Sequence, residues 1–176
     1  MNRLMLPAIC AIVFACGGAG AMELSSSNIA NGASLSADQV KDGCGGRNIS
    51  PALSWSGAPA NTRSFAITTF DPDAHGGWWH WVVLDLPASV QALPAGAGNG
   101  TGLPPGAMQG ENDFGDASYG GACPPPDSGP HHYRFTVWAL PVASVPVDAH
   151  AKGDDVAAYL KAHALAHAEL VAVYER

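Results

Sequence analysis

The sequence predicts a mostly antiparallel β fold with one helix near its end. Residues 64–70, 79–86 and 133–140 are rich in β-branched and aromatic side chains, and the first two runs are partly apolar on both alternating faces, as strands inside a sheet are. Helical spacing appears once, in Val156, Tyr159, Leu160 and His163, with Asp154 placed to cap the segment. Heptads and internal repeats are absent.

The chain opens with a short positive start, Met1-Asn2-Arg3, then a nearly all-apolar run to Cys16, with small residues at Ala19 and Ala21. This reads as a secretory signal peptide over residues 1–21, followed by a single domain over residues 22–176. The apolar run is too short and too glycine-bounded for a membrane span. A lipid-modified start at Cys16 is the minor alternative, although Phe14 sits badly in such a motif. The expected location is therefore periplasmic or secreted.

Cleavage after Ala21 leaves seven Lys+Arg against fifteen Asp+Glu, a formal charge of −8. With no basic run, nucleic acid and anionic membrane surfaces are excluded as partners. Cys44 and Cys123 are the two cysteines that remain, which in an oxidising compartment most simply means one disulfide. The alternative is a pair of free buried thiols.

Taken in order, residues 44–51 read as a loop, because Gly45-Gly46 and Ser50-Pro51 both interrupt regular structure. Leu53 and Trp55 alternate with serines in a short strand. Phe65, Ile67 and Thr69 share one face of the next strand, opposite Ala66, Thr68 and Phe70. The third run starts at Trp79 and is stopped by Pro87. Residues 88–121, rich in Gly, Pro and Ala, form a long ordered loop with one or two short strands. Tyr133, Phe135 and Val137 face away from Arg134, Thr136 and Trp138, and strand character returns at residues 169–174.

Chemistry concentrates in Asp71/Asp73/His75/His80, Asn112/Asp113 and His131/His132/Tyr133. His131 and Tyr133 are two apart on an incipient strand and point the same way. If the strands opening at His80 and Tyr133 are neighbours, one pocket gathers Asp71, His80, His131 and Tyr133. Imidazoles held by a carboxylate, a phenol and nearby glycines suit an anion without any lysine. Asp71 is expected to orient His80, with His80 and His131 as donors to the anion. Asp71, Asp73 and His75 are compatible with a cation site, but their spacing matches no zinc pattern, so neither a metal nor another cofactor is expected. No serine occupies a Gly-x-Ser-x-Gly elbow, so hydrolase machinery reads as incomplete. Plainer roles compete. The tryptophans 78, 79, 81 and 138 can line a core, Asp71 can cap its own Pro72 turn, and Asn112-Asp113 can be a turn. His163 can be a packing histidine, and His75 and His132 can simply face solvent.

Several blocks in this order resemble the phosphatidylethanolamine-binding protein family, specifically its bacterial Raf-kinase-inhibitor-like branch. They are Asn48-Ile49-Ser50-Pro51, Asp71-Pro72-Asp73-Ala74, Trp79-His80-Trp81, Asn112-Asp113-Phe114-Gly115, Tyr119-Gly120-Gly121, Cys123-Pro124-Pro125 and His131-His132-Tyr133-Arg134-Phe135. The resemblance implies a large antiparallel sheet packed against a smaller one. It also implies a surface anion pocket with Asp71, His80, His131 and Tyr133 inside and Gly120, Gly121 and Pro124 on its rim. His75, Ala122, Ala162 and Ala172 depart from the pattern, which has proline at the first two places and glycine at the others. The function expected is an exported, non-enzymatic binding protein for a small anion or a phospholipid headgroup. A protein-interaction or protease-inhibitor role using the pocket rim is the alternative, and hydrolysis of phosphoesters ranks below it.

Overall fold

The three apolar runs pair with one another at the centre of a five-stranded sheet. In the computed structural model, which describes residues 21–100, 102–148 and 150–176, the strands are β1 (Glu23–Ser25), β2 (Leu53–Ser56), β3 (Ser64–Asp71), β4 (Trp78–Pro87), β5 (Ala92–Leu93), β6 (Met108–Gln109), β7 (His131–Leu140) and β8 (Ala166–Tyr174). One helix, α1 (Gly153–His163), precedes the last strand. The leader expected over residues 1–21, with Cys16, lies outside the described residues apart from Ala21.

The large sheet runs β6-β4-β3-β7-β8, and a small sheet runs β1-β2-β5, with every named pairing antiparallel. Leu53 and Trp55 of the small sheet pack with Phe65, Ile67, Val83, Phe135 and Val137 of the large one. Ala66, Val82, Leu84, Trp138 and Leu140 point the other way, where Val156 and Leu160 of α1 cover them. β3, β4 and the second half of β7 are covered on both faces and so lack a polar alternation, whereas β8 and the first half of β7 set exposed His132, Arg134, His167 and Glu169 opposite their buried residues.

Three expectations need correcting. β4 and β7 are not neighbours; β3 lies between them and carries Asp71 at its end. Asp154 is not the helix cap: Lys152 precedes the helix without a side-chain cap, and Asp154 in the first turn accepts a hydrogen bond from Trp79 Nε1 at 2.9 Å. The buried face of α1 is Gly153, Val156, Ala157 and Leu160. His163 is exposed, stacked on Tyr159, and bonds through Nδ1 to the Tyr159 carbonyl.

The long connection of residues 88–121 contains β5 and β6 and is fixed by side-chain bonds to backbone. Ser50 Oγ accepts from Gly98 N, Asn99 Nδ2 donates to Asn48 O, and Asn112 Oδ1 accepts from Phe114 N and Asp116 N. Each such bond replaces one to water and adds of order 1 kcal/mol. A disulfide joins Cys44 to Cys123, as the cysteine inventory led one to expect.

Candidate functional site

The site is built where β3 ends and β4 and β7 begin. Thr69 pairs with Trp81 but Phe70 pairs with Trp79, which leaves His80 as the extra residue of a β-bulge. In a regular ladder, alternation would send His80 to the face opposite Trp81. A bulge re-aims one side chain, and here it turns His80 into the cleft beside Tyr133, ring edge to ring face at 5.0 Å. The cleft encloses about 470 Å³. Asp71, His80, His131 and Tyr133 all line it.

Asp71 is buried and makes two kinds of contact. Its Oδ1 accepts the backbone N–H of Asp73 and Ala74, so it does cap its own turn. Its Oδ2 accepts from His131 Nδ1 at 2.7 Å, so the histidine it orients is His131 and not His80. Both side chains of this pair are almost fully buried, at 6% and 3% exposure. A second, surface pair stands beside it, with Asp73 Oδ2 taking both the backbone N–H and the Nδ1 of His132. Desolvation would raise the Asp73 carboxyl, but those hydrogen bonds and the nearby imidazole charge outweigh it and hold the group below its usual value.

His80 is fixed by backbone instead. Its Nδ1 lies 2.7 Å from the Gly120 carbonyl, and a carbonyl only accepts, so Nδ1 carries the proton. Burial pulls this imidazole below its ordinary 6.5, although the Gly120 carbonyl and the Asp71 charge pull the other way. His80 is therefore neutral near pH 7, and its remaining nitrogen offers a lone pair. Tyr133 has its phenol pushed up by burial and by the Asp71 charge, so it keeps its proton. Among the described residues, the Tyr133 hydroxyl and Trp78 Nε1 are buried with no hydrogen-bond partner, and both residues line the cleft.

Pro124 lines the cleft, whereas Gly120 and Gly121 lie behind it. Gly120 N donates to the His80 carbonyl and Gly121 N to Asn48 Oδ1, so neither amide is free for a ligand. Their lack of a side chain serves packing: a Cβ on Gly120 would lie 2.4 Å from the Phe114 ring, and one on Gly121 would lie 2.5 Å from the Lys41 nitrogen. His75 joins the cleft wall. Sequence reasoning missed Phe114, Pro125 and Ser128, which also line it. Ser128 Oγ lies 3.1 Å from His131 Nε2, and the one available signal was a serine three residues before a histidine in a proline-rich turn. Lys41 sets its ammonium 4.4 Å from the Phe114 ring centroid, a cation that no sequence pattern places there. Among the described residues, no three His, Cys, Asp or Glu side chains stand close enough to hold a metal ion.

Comparison with known proteins agrees with this architecture. A sequence profile for phosphatidylethanolamine-binding protein matches residues 25–175. The UPF0098 protein YbcL of Escherichia coli K12 is 46% identical over 99% of both chains. Its crystal structure, described as that of a new member of the mammalian PEBP family, superposes with a TM-score of 0.85 at 48% identity, covering 89% of this chain and 99% of that one. The structure of the PEBP homologue CT736 from Chlamydia trachomatis gives 0.75 at 31% identity, over 89% of this chain and 98% of its own. A Mycobacterium tuberculosis protein named putative lipoprotein LppC is 35% identical over 88% of this chain and 72% of its own length.

Proposed function

The chain belongs to the phosphatidylethanolamine-binding protein family, and from that premise we propose that it is an exported binding protein whose cleft captures a small oxyanion. The ligand is a phosphate, a carboxylate or the phosphorylated headgroup of a lipid, held as a ligand and not consumed. One observation carries this reading: Asp71, His80, His131 and Tyr133, each buried, line one cleft, and the Tyr133 hydroxyl among them has no hydrogen-bond partner, which is costly for a buried donor. An oxyanion seated on Tyr133 supplies the missing acceptor. Asp71, already paired with His131, adds little repulsion, and the indole and phenyl walls exclude competing water.

His80 makes capture dependent on protons. Its lone pair meets an oxyanion only if a proton lies between them, so the ligand arrives protonated or His80 gains a proton on binding. Affinity is expected to rise as pH falls and to go on rising below 6.5, where His80 without ligand still resists its proton. Calorimetry with phosphate, acetate and phosphoethanolamine, repeated in buffers of different ionisation enthalpy, should show proton uptake. His80→Ala should weaken binding by about ten-fold to a hundred-fold. Unchanged affinity in that variant would place the ligand elsewhere.

Without ligand the sign is opposite. The unfolded chain binds a proton at its ordinary 6.5 while folded His80 still resists it, so stability falls as pH drops below that value. Thermal unfolding of His80→Gln should lose this part of the acid slope.

Export rests on the leader pattern, the disulfide and the name carried by LppC. No described helix is long and apolar enough to cross a membrane. The exported chain is expected to begin at Met22, which intact-mass analysis of a periplasmic or secreted fraction decides. A retained Met1, or a lipid on Cys16, is the contrary result.

A further inference from the structure

The cleft holds a feature that anion capture does not require. Ser128 Oγ is 3.1 Å from His131 Nε2, and His131 Nδ1 is 2.7 Å from Asp71 Oδ2. Asp71 is in turn held by the backbone N–H of Asp73 and Ala74. Serine, imidazole and buried carboxylate in this order are what nucleophilic acyl transfer uses, and such an arrangement is recognised by geometry and not by chain order. We propose that Ser128 is a nucleophile and that the cleft hydrolyses small carboxylic esters.

The proton count supports the assignment. The Asp71 carboxylate accepts from His131 Nδ1–H, so in the neutral ring Nε2 carries a lone pair towards Ser128. The Ser128 hydroxyl has one proton and two acceptors within reach, His131 Nε2 and the Pro125 carbonyl at 2.8 Å, and rotation moves the proton between them. The turn presents the side chain to solvent while fixing its backbone. Asp127 at φ 60° and Gly129 at φ 82° flank Ser128 in the left-handed region. Asp127 N bonds to the Arg176 carbonyl at 2.9 Å and Ser128 N to Pro125 O at 3.3 Å. A non-glycine residue held at positive φ beside a reactive group is strain that the surrounding contacts must maintain.

In the reaction, Ser128 Oγ attacks the ester carbonyl carbon as its proton passes to His131 Nε2. The C–O bond to the alcohol then breaks, and the alcohol leaves with that proton. Water repeats the sequence on the acyl-serine, giving the carboxylic acid and restoring Ser128. Negative charge on the tetrahedral oxygen needs a donor, and among the cleft-lining residues Tyr133 carries a hydroxyl without a hydrogen-bond partner. On this point the proposal rests on the oxyanion reading of the same cleft. Trp78, Phe114, Pro124 and Pro125 give that cleft apolar walls for a short acyl or alkyl group.

The test is to treat the purified protein with a fluorophosphonate probe and, separately, with p-nitrophenyl acetate and butyrate. An adduct mapped to Ser128, with ester hydrolysis above buffer that falls by about a hundred-fold or more in Ser128→Ala, is the expected result. Because Ser128 is exposed, that variant should unfold at the same temperature as the parent. No adduct at Ser128, an adduct without turnover, or hydrolysis that survives Ser128→Ala would each overturn the proposal. Phosphoethanolamine binding to the unsubstituted protein is measured in parallel. Binding without labelling sinks only the esterase, and labelling without binding sinks only the capture reading.

Discussion

His131→Ala is expected to lower stability by about 3–5 kcal/mol and to weaken ligand capture, because the Asp71 charge it leaves unpaired repels an anion. The imidazole is buried against Asp71 at 2.7 Å, with both side chains almost wholly out of water. Alanine removes the donor and leaves the carboxylate in place. Asp71 keeps the Asp73 and Ala74 amides on Oδ1, but Oδ2 faces a cavity in place of a proton. An uncompensated buried charge costs more than the lost pair itself was worth, because desolvation is no longer offset. The double variant Asp71→Asn/His131→Ala should therefore be more stable than His131→Ala alone. Denaturant midpoints for the two singles and the double close a cycle, with a coupling of about 1–3 kcal/mol expected. If His131→Ala costs less than about 1 kcal/mol, water reaches Asp71 and the pair is not buried in solution.

The histidine assignments show what sequence could and could not carry. Period-two alternation placed His131 with Tyr133 and put Phe65 and Ile67 on one face, since those facts depend only on a strand's geometry. Which strand lies beside which depends on pairings over long separations, so the sequence supports a β4–β7 adjacency only as a supposition, and the sheet sets β3 between them. The expected pairing of Asp71 with His80 depends on that supposition. Placed on β3 between the two, Asp71 reaches His131, while the bulge hands His80 to Gly120. A bulge is a register slip between two strands and leaves no mark in either alone. Gly120 and Gly121 were found for the wrong reason. Glycine permits both a free amide and a close approach, and only the contacts decide between them. Ser128 was invisible because its partner is met through turn geometry, and the motif for an activated serine belongs to a different fold.

Cys44→Ser/Cys123→Ser is expected to cost about 4–5 kcal/mol of stability while changing ligand affinity by less than about three-fold. The bond closes a separation of 79 positions between Cα atoms 5.7 Å apart, a spacing that disulfides ordinarily span. Its stabilisation comes chiefly from the unfolded chain, whose freedom the long closed loop removes. The folded site has independent ties across the same seam. Lys41 N bonds to Ala122 O at 3.0 Å, Ala122 N to Gln39 O at 3.1 Å, and Gly121 N to Asn48 Oδ1 at 2.6 Å. Tyr119 OH adds a buried bond to the Gln39 carbonyl. These contacts hold residues 119–122 against residues 39–48 whether or not the sulfurs are joined, so Gly120 stays on His80 and Pro124 stays at the cleft. Urea unfolding of the double variant and of parent protein with and without reductant gives the stability change, and calorimetry with phosphoethanolamine gives the affinity. A stability loss below about 1 kcal/mol would mean the unfolded chain is compact enough to hold the two cysteines near each other. Affinity that collapses with the bond would show that the disulfide itself shapes the cleft wall, and that the hydrogen bonds behind Gly120 and Gly121 do not.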